Sequence, residues 1–194
     1  MDNMDEINKR LSPLRRETKV VMVGNVAIGG KNPVSIQSMT NTNTMDTELT
    51  CQQVIRLVEE GCELVRITAP NIAAAYNLEN IKNELERLNC FVPLIADIHF
   101  NPKAAEIAAS IVSKVRINPG NYTDRNRGKI DYSEEEYNDE LEKIKERLKP
   151  LIEICKKHNT AIRIGTNHGS LSERVVSRYG NTPYAMAVSA YEFA

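Results

Sequence analysis

No pair of cysteines in this chain is spaced C-x-x-C, no apolar run is long enough to cross a bilayer, no strand-like run leads into a Gly-rich dinucleotide fingerprint, and neither sign of charge dominates. Each absence removes a class of protein. Cys51, Cys62, Cys90 and Cys155 match no zinc or iron–sulfur spacing, so they read as reduced, partly buried thiols. Lys and Arg number 25 against 26 Asp and Glu, a net charge of −1 that offers no basic surface to nucleic acid. Without a long apolar run no membrane span is expected. Residues 1–16 are charged and lack the apolar core of a signal peptide, so the expected compartment is the cytoplasm. The chain has 194 residues, 41% of them hydrophobic, which is enough for one core.

What the sequence does have is arginine in unusual company. Val65-Arg66-Ile67-Thr68, Val115-Arg116-Ile117-Asn118 and Ile162-Arg163-Ile164-Gly165 each place a guanidinium inside a β-branched run. Arginine is rarely buried without a partner, and its planar fork suits phosphate. Apolar runs at 34–39, 64–69, 92–98, 114–118 and 161–166 alternate with helical patterns at 48–60, 73–88 and 102–113. Near-continuous apolar strands between amphipathic helices predict an α/β fold with a parallel sheet.

Polar residues at the strand C-terminal ends favour a TIM-type (β/α)8 barrel over a doubly wound sheet: Gln37 and Ser38, Thr68, Asp97 and His99, Asn118 and Asn121, and Asn167. Only five strand–helix units can be read, so a barrel domain over 18–194, incomplete and preceded by a tail over 1–17, is expected. Residues 20–28, with Gly24-Asn25 at the turn, read as a β-hairpin that could plug the barrel's N-terminal end. Residues 121–150 form a long charged connection. Within it Ser133 and Glu136 make a capping box, and Pro150 either kinks the helix or starts a new one. A last helical stretch covers 173–193.

Residues i and i+2 of a strand share a face, so Arg66 points with Thr68, Arg116 with Asn118, and Arg163 with Gly165 and Asn167. Asp97 is the one strand carboxylate at matching depth and cannot neutralise three guanidiniums. A phosphate or carboxylate ligand is therefore expected, with structural ion pairing as the alternative. Asp97 and His99 on one strand face suit orientation of a substrate hydroxyl, acid–base work, or pairing within the protein. They are too few to hold a metal by themselves. The loops 118–121 and 165–170 are Gly- and Asn-rich and follow arginine strands, which suits close approach of an anion. The hydroxyl- and amide-rich loop 39–45 reads either as a mobile active-site loop or as a solvated turn.

Taken in order, Val34-Ser35-Ile36-Gln37-Ser38-Met39-Thr40, Gly61-Cys62-Glu63-Leu64-Val65-Arg66, Ile95-Ala96-Asp97-Ile98-His99-Phe100, Val115-Arg116-Ile117-Asn118-Pro119-Gly120-Asn121 and Ile162-Arg163-Ile164-Gly165-Thr166-Asn167-His168-Gly169-Ser170 resemble the N-terminal barrel of the 4-hydroxy-3-methylbut-2-enyl diphosphate synthases. The resemblance implies an oxidoreductase of the non-mevalonate isoprenoid pathway. Such an enzyme reductively opens 2-C-methyl-D-erythritol 2,4-cyclodiphosphate with electrons from ferredoxin or flavodoxin and a [4Fe-4S] cluster on another domain. It also implies that Arg66, Arg116 and Arg163 bind the diphosphate with Asn167 and His99 nearby. Asp97, Asn118 and Asn121 complete the expected substrate set. The family's cluster-binding cysteines and its acid–base glutamate have no counterpart among these residues, so the chain is expected to bind substrate without turning it over and to hold no cofactor of its own. The long connection resembles that of the larger form of the family. A pterin-binding transferase barrel similar to dihydropteroate synthase is the competing expectation. Open sheet edges would favour a homo-oligomer.

Overall fold

The computed structural model of the chain describes residues 18–122 and 131–194; the expected tail over 1–17 and part of the charged connection lie outside the described residues. The first element is the expected hairpin. Strands β1 (Val21–Val23) and β2 (Val26–Ile28) pair antiparallel with Val23 opposite Val26. Gly24 takes φ +58 at the turn, a conformation glycine adopts without penalty.

Five parallel strands follow in the order β3-β4-β5-β6-β7. They are β3 (Gln37–Met39), β4 (Leu64–Thr68), β5 (Leu94–Ile98), β6 (Lys114–Ile117) and β7 (Ala161–Ile164). The apolar run at 34–39 is shorter as a strand than its sequence suggests. Val34 and Ile36 are exposed, and the Ile36 N–H donates to Glu63 Oε2 at 2.8 Å instead of to a neighbouring strand. A strand with a single neighbour leaves such groups to side chains.

Helices α1 (Thr47–Glu59), α2 (Ile72–Arg87) and α3 (Pro102–Ala109) each begin at a capping side chain, respectively Asp46, Asn71 and Asn101. They cover one face of the sheet. Val65, Ile67, Ala96, Ile98, Val115 and Ile117 point into that layer and share one buried core with Val54, Leu78, Ile81 and Leu85. In α3, Ala104, Ala105, Ala108 and Ala109 are all buried, and their small side chains let the helix lie close to β5 and β6.

The opposite face carries Leu64, Ile95 and Ala161 at its N-terminal end, packed with Val23, Val26 and Ile28. The hairpin therefore covers that end of the inward face. The other inward positions are polar: Arg66 and Lys114 level with Ile95, and Thr68, Asp97, Arg116, Asn118 and Arg163 nearer the strand C-termini.

After β6, residues 119–122 form the short helix α4 (Pro119–Tyr122), where a loop is expected. Helix α5 (Glu134–His158) has the expected Ser133–Glu136 capping box. It runs unbroken through Pro150, which neither starts a new helix nor ends this one. The expected helix at 173–193 is instead two, α6 (Glu173–Tyr179) and α7 (Pro183–Tyr191). Gly180 at φ +66 ends the first, and Thr182 caps the second with Pro183 in its first turn. Arg174 on α6 makes a bidentate ion pair with Glu192 at 2.9 and 2.7 Å, and Tyr137 of α5 also donates to Glu192. Nothing in the local sequence marks this buried network, because its partners come from three separate segments. Among the described residues no helix is long and apolar enough to cross a membrane.

Candidate functional site

Strand register assembles the inward charges. Asp97, Arg116 and Arg163 are successive partners across β5, β6 and β7, with Thr68 of β4 in the same row. Arg66 pairs instead with Ile95, and Ile95 with Lys114, so Arg66 and Lys114 belong to the row below. The three arginines thus occupy one face at two levels, where their matching motifs suggest one.

Asp97 is the hub and is only 2% exposed. Its Oδ1 accepts from Arg116 Nη1 at 3.1 Å. Its Oδ2 lies 3.5 Å from both Arg66 Nε and His99 Nε2. The Arg66 contact is an ion pair without a hydrogen bond, since Arg66 Nε has no acceptor of good geometry, while Arg66 Nη2 donates to Met39 Sδ at 3.1 Å. Arg116 Nη2 donates to the Gly165 carbonyl at 2.7 Å. Arg163 is exposed, and no described carboxylate pairs with it.

Lys114 is a fourth inward cation, buried at 8% exposure. Burial, followed by the Arg163 and Arg66 guanidiniums, pushes its ammonium below the usual lysine range. The alternation that places Arg116 inward also places Lys114 there, two residues earlier on β6. Period two within the run at 114–118 carries that signal, since Lys114 and Arg116 stand two apart. Among the described residues four cations and one carboxylate therefore share this face, which leaves an excess of positive charge.

The remaining expected site residues hold the mouth together. Asn118 Nδ2 donates to Ser170 Oγ at 2.8 Å and so ties β6 to the 3-10 turn His168–Ser170. The Asn167 side chain caps that turn by accepting from the Gly169 N–H at 3.0 Å. The Asn121 N–H donates to the Asn118 carbonyl at 3.1 Å, which ties α4 to the residue before it. His99, its side chain 37% exposed, sits edge-on to Phe100. The loop at 39–45 is tied down: Thr44 Oγ1 donates to the Thr68 carbonyl at 2.6 Å, Asn77 Nδ2 to the Thr44 carbonyl at 2.7 Å, and Gln53 Nε2 to Asn41 Oδ1 at 2.8 Å.

Two of the four cysteines are poor candidates for iron–sulfur ligands. Cys51 and Cys155 are buried in the core, and burial pushes each thiol up to about 11, away from the thiolate that ligates iron. Among the described residues no three His, Cys, Asp or Glu side chains converge as a metal site.

The family profile described as "GcpE TIM-barrel domain" matches residues 18–194. The chain is 51% identical over 181 residues to a 4-hydroxy-3-methylbut-2-en-1-yl diphosphate synthase (flavodoxin) of Akkermansia muciniphila, covering 93% of this chain and 31% of that protein. It is 54% identical over 181 residues to the protein of the same name in Bacteroides thetaiotaomicron, covering 92% of this chain and 30% of that one. The namesake in Protochlamydia amoebophila is 52% identical over 182 residues, with 93% and 28% covered. The chain thus spans less than a third of the length of these relatives. Among solved structures, Burkholderia cenocepacia dihydropteroate synthase complexed with 7,8-dihydropteroate aligns at a TM-score of 0.42 and 14% identity, over 90% of this chain and 88% of that one. That likeness is too distant to favour the pterin-binding alternative. The profile match spans every strand of the sheet and every residue of the cationic face, and the chain belongs to the GcpE TIM-barrel domain family.

Proposed function

We propose that this chain is the substrate-holding part of a 4-hydroxy-3-methylbut-2-en-1-yl diphosphate synthase, and that its inward cations bind the diphosphate of 2-C-methyl-D-erythritol 2,4-cyclodiphosphate. The observation that carries this reading is the imbalance on the inward face, where Arg66, Arg116 and Arg163 face Asp97 as the single carboxylate among the described residues. Arg163, exposed and paired with no described carboxylate, clamps a phosphate. Arg116 is braced by Asp97 and the Gly165 carbonyl and keeps its remaining N–H groups for the ligand. His99, beside Asp97, orients a substrate hydroxyl. Asn118, Asn121 and Asn167 shape the mouth, and their amide groups are the further ligands proposed.

This part supplies charge and orientation. The redox chemistry is assigned to a [4Fe-4S] cluster held by the part of such a synthase that this chain does not span; the core burial of Cys51 and Cys155 supports this. The relatives' names support flavodoxin over ferredoxin as the electron donor. Four unpaired cysteines suit a reducing compartment, and the cytoplasm is the proposed one. Titration calorimetry with the cyclic diphosphate tests the reading. Arg116→Ala is expected to weaken binding by about 1–3 kcal/mol, and unchanged affinity would remove the arginine argument.

Among the described residues the edge strands β3 and β7 each have one strand neighbour, and such an edge is a template for pairing with another chain. They support self-association of the chain. Light scattering is expected to give the mass of two or more copies, and a single-copy mass would overturn this.

A further inference from the structure

We propose that Gly165 is a positioning residue whose missing side chain and carbonyl together seat Arg116; the functional part of this inference rests on the reading of Arg116 as a diphosphate ligand. A Cβ at position 165 would lie 1.9 Å from Arg116 Nε, 2.7 Å from its Cζ and 2.8 Å from its Cδ. All three of the nearest atoms belong to one side chain. Backbone conformation does not explain the glycine, because the glycines at positive φ are Gly24, Gly29, Gly30, Gly61 and Gly180. What Gly165 provides is room.

It also provides an acceptor. Its carbonyl receives Arg116 Nη2 at 2.7 Å, and its own N–H donates to the Ile117 carbonyl at 2.7 Å, which fixes the end of β7 against β6. The guanidinium stem therefore lies over a bare Cα, with Nη1 on Asp97 and Nη2 on Gly165. Any side chain at 165 evicts the guanidinium from both acceptors. The anion then meets a displaced arginine, and Asp97 loses the guanidinium hydrogen-bonded to it.

The test is a double-mutant cycle in the full chain with Gly165→Ala, Arg116→Ala and the double variant. It is read by calorimetry with the cyclic diphosphate and by urea denaturation. Gly165→Ala is expected to reduce affinity to the Arg116→Ala level, a loss of about tenfold or more. Added to Arg116→Ala, it is expected to change neither affinity nor stability, because the obstructing side chain is gone. If Gly165→Ala alone does not fold, recovery of the fold in the double variant supports the proposal. Wild-type affinity in Gly165→Ala would overturn it, as would a double variant clearly less stable than Arg116→Ala. If the unaltered chain binds no diphosphate, the functional reading fails, while the denaturation cycle still decides whether Gly165 seats Arg116.

Discussion

Asp97→Ala is expected to destabilise the chain by about 3 kcal/mol in urea denaturation followed by circular dichroism, at the lower end of what breaking a buried ion pair costs. Asp97 is 2% exposed and is the carboxylate against which Arg66, Arg116 and His99 are arranged. Its removal leaves two guanidiniums beside Lys114 and Arg163 with no countercharge among the described residues of the face. Arg66 and Arg116 keep 24% and 13% of their side-chain surface in water, which softens the loss and sets the lower figure. Asp97→Asn keeps the shape and loses the charge, so it is expected to fall between the two. If the cost is electrostatic, inorganic phosphate raises the stability of Asp97→Ala more than that of the unaltered chain. An Asp97→Ala chain as stable as the original would mean that the arginines do not depend on Asp97.

Arg163→Ala has the opposite profile. Arg163 is exposed, pairs with no described carboxylate and contributes to the repulsion felt by Lys114. Removing it is expected to leave stability unchanged or slightly raised. Affinity for the cyclic diphosphate is expected to fall by about 1.5–3 kcal/mol, or roughly tenfold to a hundredfold, because a charge-assisted hydrogen bond to phosphate is lost. Calorimetry and denaturation on the same preparation separate the two effects. A variant that binds normally but unfolds more easily would make Arg163 structural and remove it from the site.

The contrast between these residues marks what the sequence could and could not carry. Alternation within a strand is a local rule, so the inward placement of Arg66, Asp97, Arg116 and Arg163 was legible from residue order alone. The hairpin at Gly24 and the capping box at Ser133 were legible for the same reason, since both are local chemistry. Register between strands is not local. The offset of Arg66 into the row of Lys114 depends on where each loop delivers the next strand, and no motif records it. Gly165 was legible as a glycine near a site but not as the floor under Arg116, because the atom facing its missing Cβ arrives from β6, 49 residues earlier. The run at 34–36 was over-read because its apolar residues mimic a strand interior, while its backbone bonds go partly to Glu63. The Arg174–Glu192 pair left no trace in composition or period and emerged only with the packing of α6 on α7.

The central claim is that the inward cations form one diphosphate site. A crystal structure of the chain soaked with 2-C-methyl-D-erythritol 2,4-cyclodiphosphate tests it most directly. The account predicts phosphate oxygens within hydrogen-bond distance of Arg116 and Arg163, with Asp97 still holding Arg116. A ligand bound elsewhere, with the arginine face unchanged, would contradict it.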